Sequence, residues 1–438
     1  MKHMMLFWLL LCSGLSASAQ VTAIRAGKLV DPESGTTLAD QVILVEGQTI
    51  RAVGAEVTPP PGARVIDLSR MTVMPGLIDC HTHVCSSVPS RQGLPRKASR
   101  SGQIAYDLGN TTGYRAIQGV VNARTMLEAG FTTIRDLGNA GNYADVDLRR
   151  AVTEGLVPGP TMITAGRIIA PFGGQYAPSD RGYTMNPERP GLGAPEYLYA
   201  DTRDELRKAI RENLFHGAQV IKIVVDDQRY LYSVDDIRSI VEEAHQAQVK
   251  VAAHCVTEAG ARHAALAGVD SIEHGFVMSD SVLELAKQNN VVLVGTDFTR
   301  EYLQEYGQDA EIAGRGYARS LDRIQRAYRI GVEQAFGSDI IFDVEGKTRG
   351  EVCLSILNTY IAAGLPNSYL LRMLTTHGAR LLGISQQRGA VRAGMAADLI
   401  ATPESPLEVI ATLQRVQFVM KEGVVIRQQA SDPAPARP

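Results

Sequence analysis

The sequence predicts an α/β protein, a (β/α)8 TIM barrel carrying a small β-sandwich domain built from both ends of the chain. Three observations set this class. Through the middle of the chain short apolar strands alternate with helical segments, the signature of βα units and a parallel sheet. The two flanks are instead strands and turns. The polar residues of the middle region fall at the C-terminal ends of its strands, where a barrel of this kind places its site. The 438 residues suffice for one large domain plus a smaller one.

The chain opens with Met1-Lys2-His3, an apolar run from Met4 to Leu11, and Ala17-Ser18-Ala19 before Gln20. A basic start, an apolar core too short to span a bilayer and a small-residue cleavage site predict a signal peptide over 1–19. The expected location is therefore exported, periplasmic or secreted, with no membrane attachment after cleavage. Residues 20–70 read as the first part of the sandwich, with Asp31-Pro32 and Pro59-Pro60-Pro61-Gly62 as punctuation. Residues 71–385 are assigned to the barrel, 386–430 to the second part of the sandwich, and 431–438 to a disordered tail rich in Pro and Ala.

Eight candidate barrel strands are Val73–Asp79, Thr132–Asp136, Thr161–Ala165, Val220–Val225, Val249–Ala253, Ser271–Glu273, Val291–Gly295 and Gln334–Gly337. The intervening helices carry their own signals. Ser233-Val234-Asp235-Asp236 opens like a capping box, and Ile237, Ile240, Val241 and Ala244 form an apolar stripe behind it. Two strand-to-helix segments, Cys85–Thr112 and Pro171–Asp201, are unusually long and rich in Gly, Pro and Ser. Segments of that length in a barrel are lids or pocket walls.

A charged content of 21% and a net charge of -3 give no footprint for nucleic acid. After the predicted cleavage site Cys80, Cys85, Cys255 and Cys353 remain, without C-x-x-C spacing, and they read as free buried thiols.

The chemistry concentrates in Val73-Met74-Pro75-Gly76-Leu77-Ile78-Asp79-Cys80-His81-Thr82-His83. Residues two apart on a strand share a face, so His81 and His83 project together. Neutral imidazole is the commonest protein ligand for zinc-like ions, so this pair is half of a metal site. Other strand ends carry Lys222, inside an apolar run, then His254, then His274 in Glu273-His274-Gly275, and Asp339 after Gly337-Ser338. Each alone reads better as a satisfied core group. All of them together, at the C-terminal strand ends of one barrel, point to a metal centre.

That ordered set resembles the amidohydrolase superfamily in its binuclear-metal pattern. The likeness spans nearly the whole mature chain, including Ala129-Gly130-Phe131-Thr132-Thr133-Ile134-Arg135-Asp136-Leu137-Gly138 and Gly394-Met395-Ala396-Ala397-Asp398-Leu399. Within the superfamily it is similar to the imidazolonepropionase-like and Xaa-Pro dipeptidase group, including bacterial members that hydrolyse ochratoxin A. The resemblance implies two divalent metal ions per chain, Zn2+ foremost. His81, His83 and Asp339 would hold the more buried ion, His254 and His274 the more exposed one, and a carbamylated Lys222 would bridge them. Asp339 and His254 are the implied catalytic residues, with Asp339 taking a proton from the attacking water and delivering it to the leaving amine. The implied substrates are small amides, N-acyl amino acids or dipeptides, including ochratoxin A, and the implied assembly is a homo-oligomer up to an octamer.

Arg229, Tyr230 and Tyr232, just beyond Lys222, are candidates for holding a substrate carboxylate. They read equally well as a solvated charge and packing rings, with Arg91, Arg96, Lys97 and Arg100 as the fallback cations. Relatives often carry a histidine after a Gly-Gly here represented by Gly173-Gly174, whereas this chain has Gln175. His216, His245 and His263 read as surface or packing residues and His377 as structural. Two other readings stand beside the first: a cyclic amide or imidazolone hydrolase of the same fold, and a non-catalytic structural relative, which would be expected to have lost ligands.

Overall fold

A computed structural model of the chain describes residues 20–89, 106, 109–138, 140–175, 196–227 and 231–429. The predicted signal peptide and tail, Arg229, Tyr230 and the cations Arg91, Arg96, Lys97 and Arg100 lie outside the described residues.

The chain begins with β1 (Val21–Asp31), β2 (Thr36–Glu46), β3 (Thr49–Gly54) and β4 (Arg64–Pro75). β1 pairs antiparallel with β2 and parallel with β4. Then come β5 (Leu77–Thr82), β6 (Phe131–Asp136), β7 (Thr161–Thr164), β8 (Ile168–Ala170), β9 (Tyr197–Tyr199), β10 (Val220–Val224), β11 (Lys250–Cys255), β12 (Ser271–His274) and β13 (Val292–Val294). β14 (Leu399–Thr402), β15 (Phe418–Lys421) and β16 (Val424–Gln428) return to the first group, giving one seven-stranded sheet in the order β16-β15-β14-β4-β1-β2-β3. Both ends of the chain therefore build one domain, as the sequence predicts.

This sheet curls onto itself. Ile24, Ile43, Ile66, Leu399 and Phe418, from five strands, share one buried core. The turn into β3 closes the curl, because Ile50 N–H donates to Met395 O at 2.8 Å and Ala397 N–H to Gln48 O at 2.8 Å.

The barrel follows from parallel pairing of β5 with β6 and β7, and of β10 with β11, β12 and β13. Gln219 N–H donates to Thr164 O at 2.8 Å and joins the two arcs. Closure runs through the backbone of 333–339: Ala335 N–H donates to Leu293 O at 3.0 Å, Cys80 N–H to Phe336 O at 2.8 Å, and Asp339 N–H to His81 O at 2.8 Å. Parity decides what faces inward. Ile221 and Ile223 pack outward beneath the helices, so Lys222 between them points into the barrel. The helix Val234–Gln246 has the expected reciprocal cap between Ser233 and Asp236 and buries Ile237, Ile240, Val241 and Ala244.

The structure differs from the sequence reading in several places. The predicted first barrel strand from Val73 is two strands: β4 runs to Pro75 in the terminal sheet, and the barrel begins at Leu77. The division falls at Gly76, not after Arg70, since a Cβ there would sit 2.1 Å from Thr132 Oγ1. The predicted strand Gln334–Gly337 is a single bridge to Leu293 plus the closing hydrogen bonds. The short β8 and β9, invisible to periodicity at three residues each, extend the sheet beside β10.

Candidate metal centre

Of the six predicted ligands, five lie at, beside or just past strand ends and Lys222 lies mid-strand in β10. His81 lies on β5 and His83 one residue past its end, Lys222 on β10, His254 on β11, His274 at the end of β12 and Asp339 at the end of the closing segment. His83 Nε2 is 3.1 Å and His81 Nε2 3.5 Å from Asp339 Oδ1. These three donor atoms lie within 4.8 Å of one another. The His274 ring centroid stands 5.1 Å from that of His81 and 4.5 Å from that of His254.

Hydrogen bonds behind the rings fix which nitrogen faces the centre. His81 Nδ1 is 2.7 Å from Glu273 Oε2, and His83 Nδ1 is 2.8 Å from Gly138 O. An ionised carboxylate and a carbonyl only accept, so both Nδ1 atoms carry the proton and donate. Both Nε2 atoms then aim lone pairs at the Asp339 carboxylate. These three groups, with ligand atoms within 4.8 Å of one another, could hold a cation between them. This donor set of neutral imidazole and carboxylate fits a divalent transition metal such as zinc. The Lys222 amine fits a second requirement: it is buried, and its Nζ has no hydrogen-bond partner. An isolated ammonium is costly there.

Electrostatics agree. Burial, reinforced by the Lys222 charge, lowers His81 to about 4, and burial with the neighbouring His254 and His81 lowers His274 further below the ordinary range. Burial brings Lys222 down to about 8. Burial pushes the Asp339 carboxyl up, but His81, His83 and Lys222 outweigh it and hold it below its usual value. At neutral pH the site therefore offers unprotonated His81 and His274 and an ionised Asp339, while burial, which lowers His83, is outweighed by its hydrogen bond and charge contact with Asp339, which raise it.

Several supporting residues escaped the sequence reading. Glu273 accepts from Arg135 Nη2 at 2.7 Å and from Ser271 Oγ, while Arg135 Nε donates to Cys80 O at 2.6 Å. Arg135 and Glu273 are 1% and 0% exposed. The available signal was a charge inside each of two apolar strands, which burial obliges to pair. Thr296 Oγ1 lies 2.8 Å from His274 Nδ1. Arg349 donates to the carbonyls of His83, Ile340 and Ser86, lacing the first and last strand ends together. His274, Thr296 and Asp339 all have left-handed backbone, with φ of 70°, 47° and 53°. Such conformations in non-glycine residues cluster at functional sites.

The outer side is more open. His254 Nε2 is 2.9 Å from Asp227 Oδ2. Gln175 Nε2 donates to Asp227 Oδ2 at 2.9 Å and lies 3.5 Å from His254 Nδ1, with Tyr197 OH donating to Gln175 Oε1 at 3.1 Å. Gln175 thus stands beside the centre.

Tyr232 is placed differently from its expected substrate-facing role. Its ring belongs to the apolar layer under the outer helices, and its hydroxyl donates to Ala200 O at 2.6 Å. The other histidines sit as expected. His245 pairs with Asp270 on the surface, His263 meets Tyr232 O, His216 stacks on Tyr143, and His377 is buried against Gln334 O. Cys80, Cys85, Cys255 and Cys353 are free and buried. Among the described residues no helix is long and apolar enough to cross a membrane.

Comparison with known proteins agrees with this geometry. The amidohydrolase family profile matches residues 72–426. The ochratoxinase of Aspergillus niger is 28% identical over 456 aligned residues, covering 93% of this chain and 87% of that protein. Its crystal structure superposes with a TM-score of 0.76 at 26% identity, covering 94% of this chain and 96% of the other. A Xaa-Pro dipeptidase crystallised with methionine in its active site gives a TM-score of 0.80 at 27% identity, covering 93% of this chain and 100% of the other.

Proposed function

We propose that this chain, which belongs to the amidohydrolase family and is a hydrolase of amide bonds, is a binuclear metal-dependent enzyme. Its substrates are N-acyl amino acids or dipeptides, including ochratoxin A, cleaved to ochratoxin alpha and phenylalanine. One observation carries the reading: the His81 and His83 lone pairs and the Asp339 carboxylate converge within 4.8 Å beside an unpartnered buried lysine.

His81, His83 and Asp339 would hold one cation, His254 and His274 the other, and a carbamylated Lys222 would serve both. Bound there, two divalent cations supply Lewis acidity, polarising the scissile carbonyl and acidifying water. Asp339 does the proton work. Its carboxylate is ionised, it is held between His81 and His83, and it can accept a proton from the attacking water and return it to the leaving amine. His254, in contact with Asp227 and Gln175, lies where substrate arrives. The ochratoxinase and Xaa-Pro dipeptidase likenesses support a scissile amide whose leaving side is an amino acid. The signal-like start supports export, and assembly as a homo-oligomer belongs to the same reading.

The test is a hydrolysis screen of zinc-loaded protein against dipeptides, N-acyl amino acids, ochratoxin A and cyclic amides. Turnover of linear amides that releases a free amino acid is expected. Turnover of cyclic amides alone would overturn the substrate assignment.

A further inference from the structure

Asp339 lies on no strand; it falls between two isolated bridges, Leu293 with Gln334 and Val88 with Phe342. Its own backbone is left-handed, with φ of 53°. A carboxylate so placed is aimed only as well as the loop behind it is held. Two sets of hydrogen bonds hold that loop. One is backbone: Val88 N–H donates to Ile341 O at 2.9 Å and Asp343 N–H to Val88 O at 2.8 Å. The other comes from a side chain, since Tyr302 OH accepts from Ile341 N–H at 3.1 Å and from Phe342 N–H at 3.0 Å. Tyr302, Ile341 and Phe342 share one buried apolar core. Without the phenol oxygen both amides would be left there without that partner, which is costly.

Tyr302 is itself fixed. It belongs to the short helix Arg300–Glu305, and its N–H donates to the Thr299 hydroxyl at 3.1 Å. The residues leading into that helix are pinned at Thr296, whose hydroxyl lies 2.8 Å from His274 Nδ1, and at Asp297, whose carboxylate pairs with Arg323. Both members of that ion pair are 0% exposed. Residues 296–302 therefore reach from His274 to the loop that carries Asp339.

We propose that Tyr302 is a positioning residue for Asp339: by accepting the Ile341 and Phe342 amides it takes the place of a strand ladder and fixes the direction of the carboxylate. The inference rests on the reading that Asp339 binds metal and moves the proton, and it adds the residue that aims that group.

The experiment compares cobalt-loaded wild type, Tyr302→Phe and Tyr369→Phe. Tyr369 is the control because its hydroxyl holds the other end of the closing segment, accepting from Gln334 N–H at 3.3 Å and donating to Val332 O at 3.2 Å. Cobalt equivalents, the visible absorption of the bound ions, kcat and KM on ochratoxin A, and stability to urea are measured on each. Tyr302→Phe should show altered absorption bands and a kcat lower by about tenfold to hundredfold, with KM little changed. Tyr369→Phe should lose similar stability and keep both the spectrum and kcat.

A Tyr302→Phe protein with the wild-type spectrum and kcat, or equal kcat losses in the two variants, would overturn the inference alone. Should Tyr302→Phe fail to fold, Thr299→Ala decides. Removing the hydroxyl that holds the Tyr302 amide should shift the same bands by less, and an unchanged spectrum overturns the inference. A wild type that binds no cobalt would overturn both this inference and the functional reading beneath it. A wild type that binds cobalt but leaves ochratoxin A intact would remove that substrate from the reading, and the spectra would still decide on Tyr302.

Discussion

The two sides of the centre are built in opposite ways. On the inner side His81, Glu273 and Arg135 are at most 1% exposed, and His81 Nδ1, which does not face the centre, is committed to Glu273 on another strand. On the outer side His254 meets Asp227, whose side chain is 24% exposed, and Gln175, which comes from a long inter-strand segment. Groups that must be aligned before anything binds are fixed by rigid strands and paired charges. Asp227 and Gln175, around His254, sit outside the strands, where side chains can be exchanged without disturbing the barrel.

The largest effect should come from the inner side. His83→Ala removes one of the lone pairs aimed at Asp339, so turnover should fall to background and metal per chain should drop. Circular dichroism should show an intact barrel, because the interior strand pairing does not depend on that ring. Asp339→Asn keeps the shape of a ligand but loses the base. A drop of about a hundredfold to ten-thousandfold in kcat is expected, with a smaller loss of metal. Steady-state kinetics alongside elemental analysis separate the two.

The outer side predicts smaller and more selective losses. If Arg229 holds the substrate carboxylate, Arg229→Ala should weaken turnover of free-acid substrates about tenfold to hundredfold, corresponding to about 1.5–3 kcal/mol. Amidated analogues should barely change. Equal losses on both would exclude Arg229 as the anchor. Smallest of all is Tyr232→Phe. Its hydroxyl is spent on Ala200 O, so the change should cost stability of about 0.5–1.5 kcal/mol, read by chemical denaturation, and leave KM for free acids where it was.

The same division explains what the sequence made legible. His81, His83, Lys222, His254, His274 and Asp339 stand out because each is a polar residue ending, or interrupting, an apolar strand. Glu273 and Arg135 carry the same signal but were passed over, since nothing local says which buried charge is a ligand and which orients one. The terminal sheet was readable from its strands and turns, but its junction with the barrel was placed after Arg70, although Pro75-Gly76 breaks the apolar run at the point where β4 ends and β5 begins. Tyr232 misled because a ring next to a strand end can face the mouth or the helices, and its partner Ala200 lies 32 residues away in sequence.

The central claim is that the strand-end side chains hold two divalent cations through a modified Lys222. It is tested most directly by elemental analysis of purified wild type and Lys222→Met after zinc loading and exhaustive dialysis, with activity measured on the same samples. Wild type should carry two equivalents per chain and turn over its substrate. Lys222→Met should retain one equivalent or less and be inactive. A wild-type protein that is metal-free yet fully active, or a Lys222→Met protein with two equivalents and undiminished activity, would contradict the account.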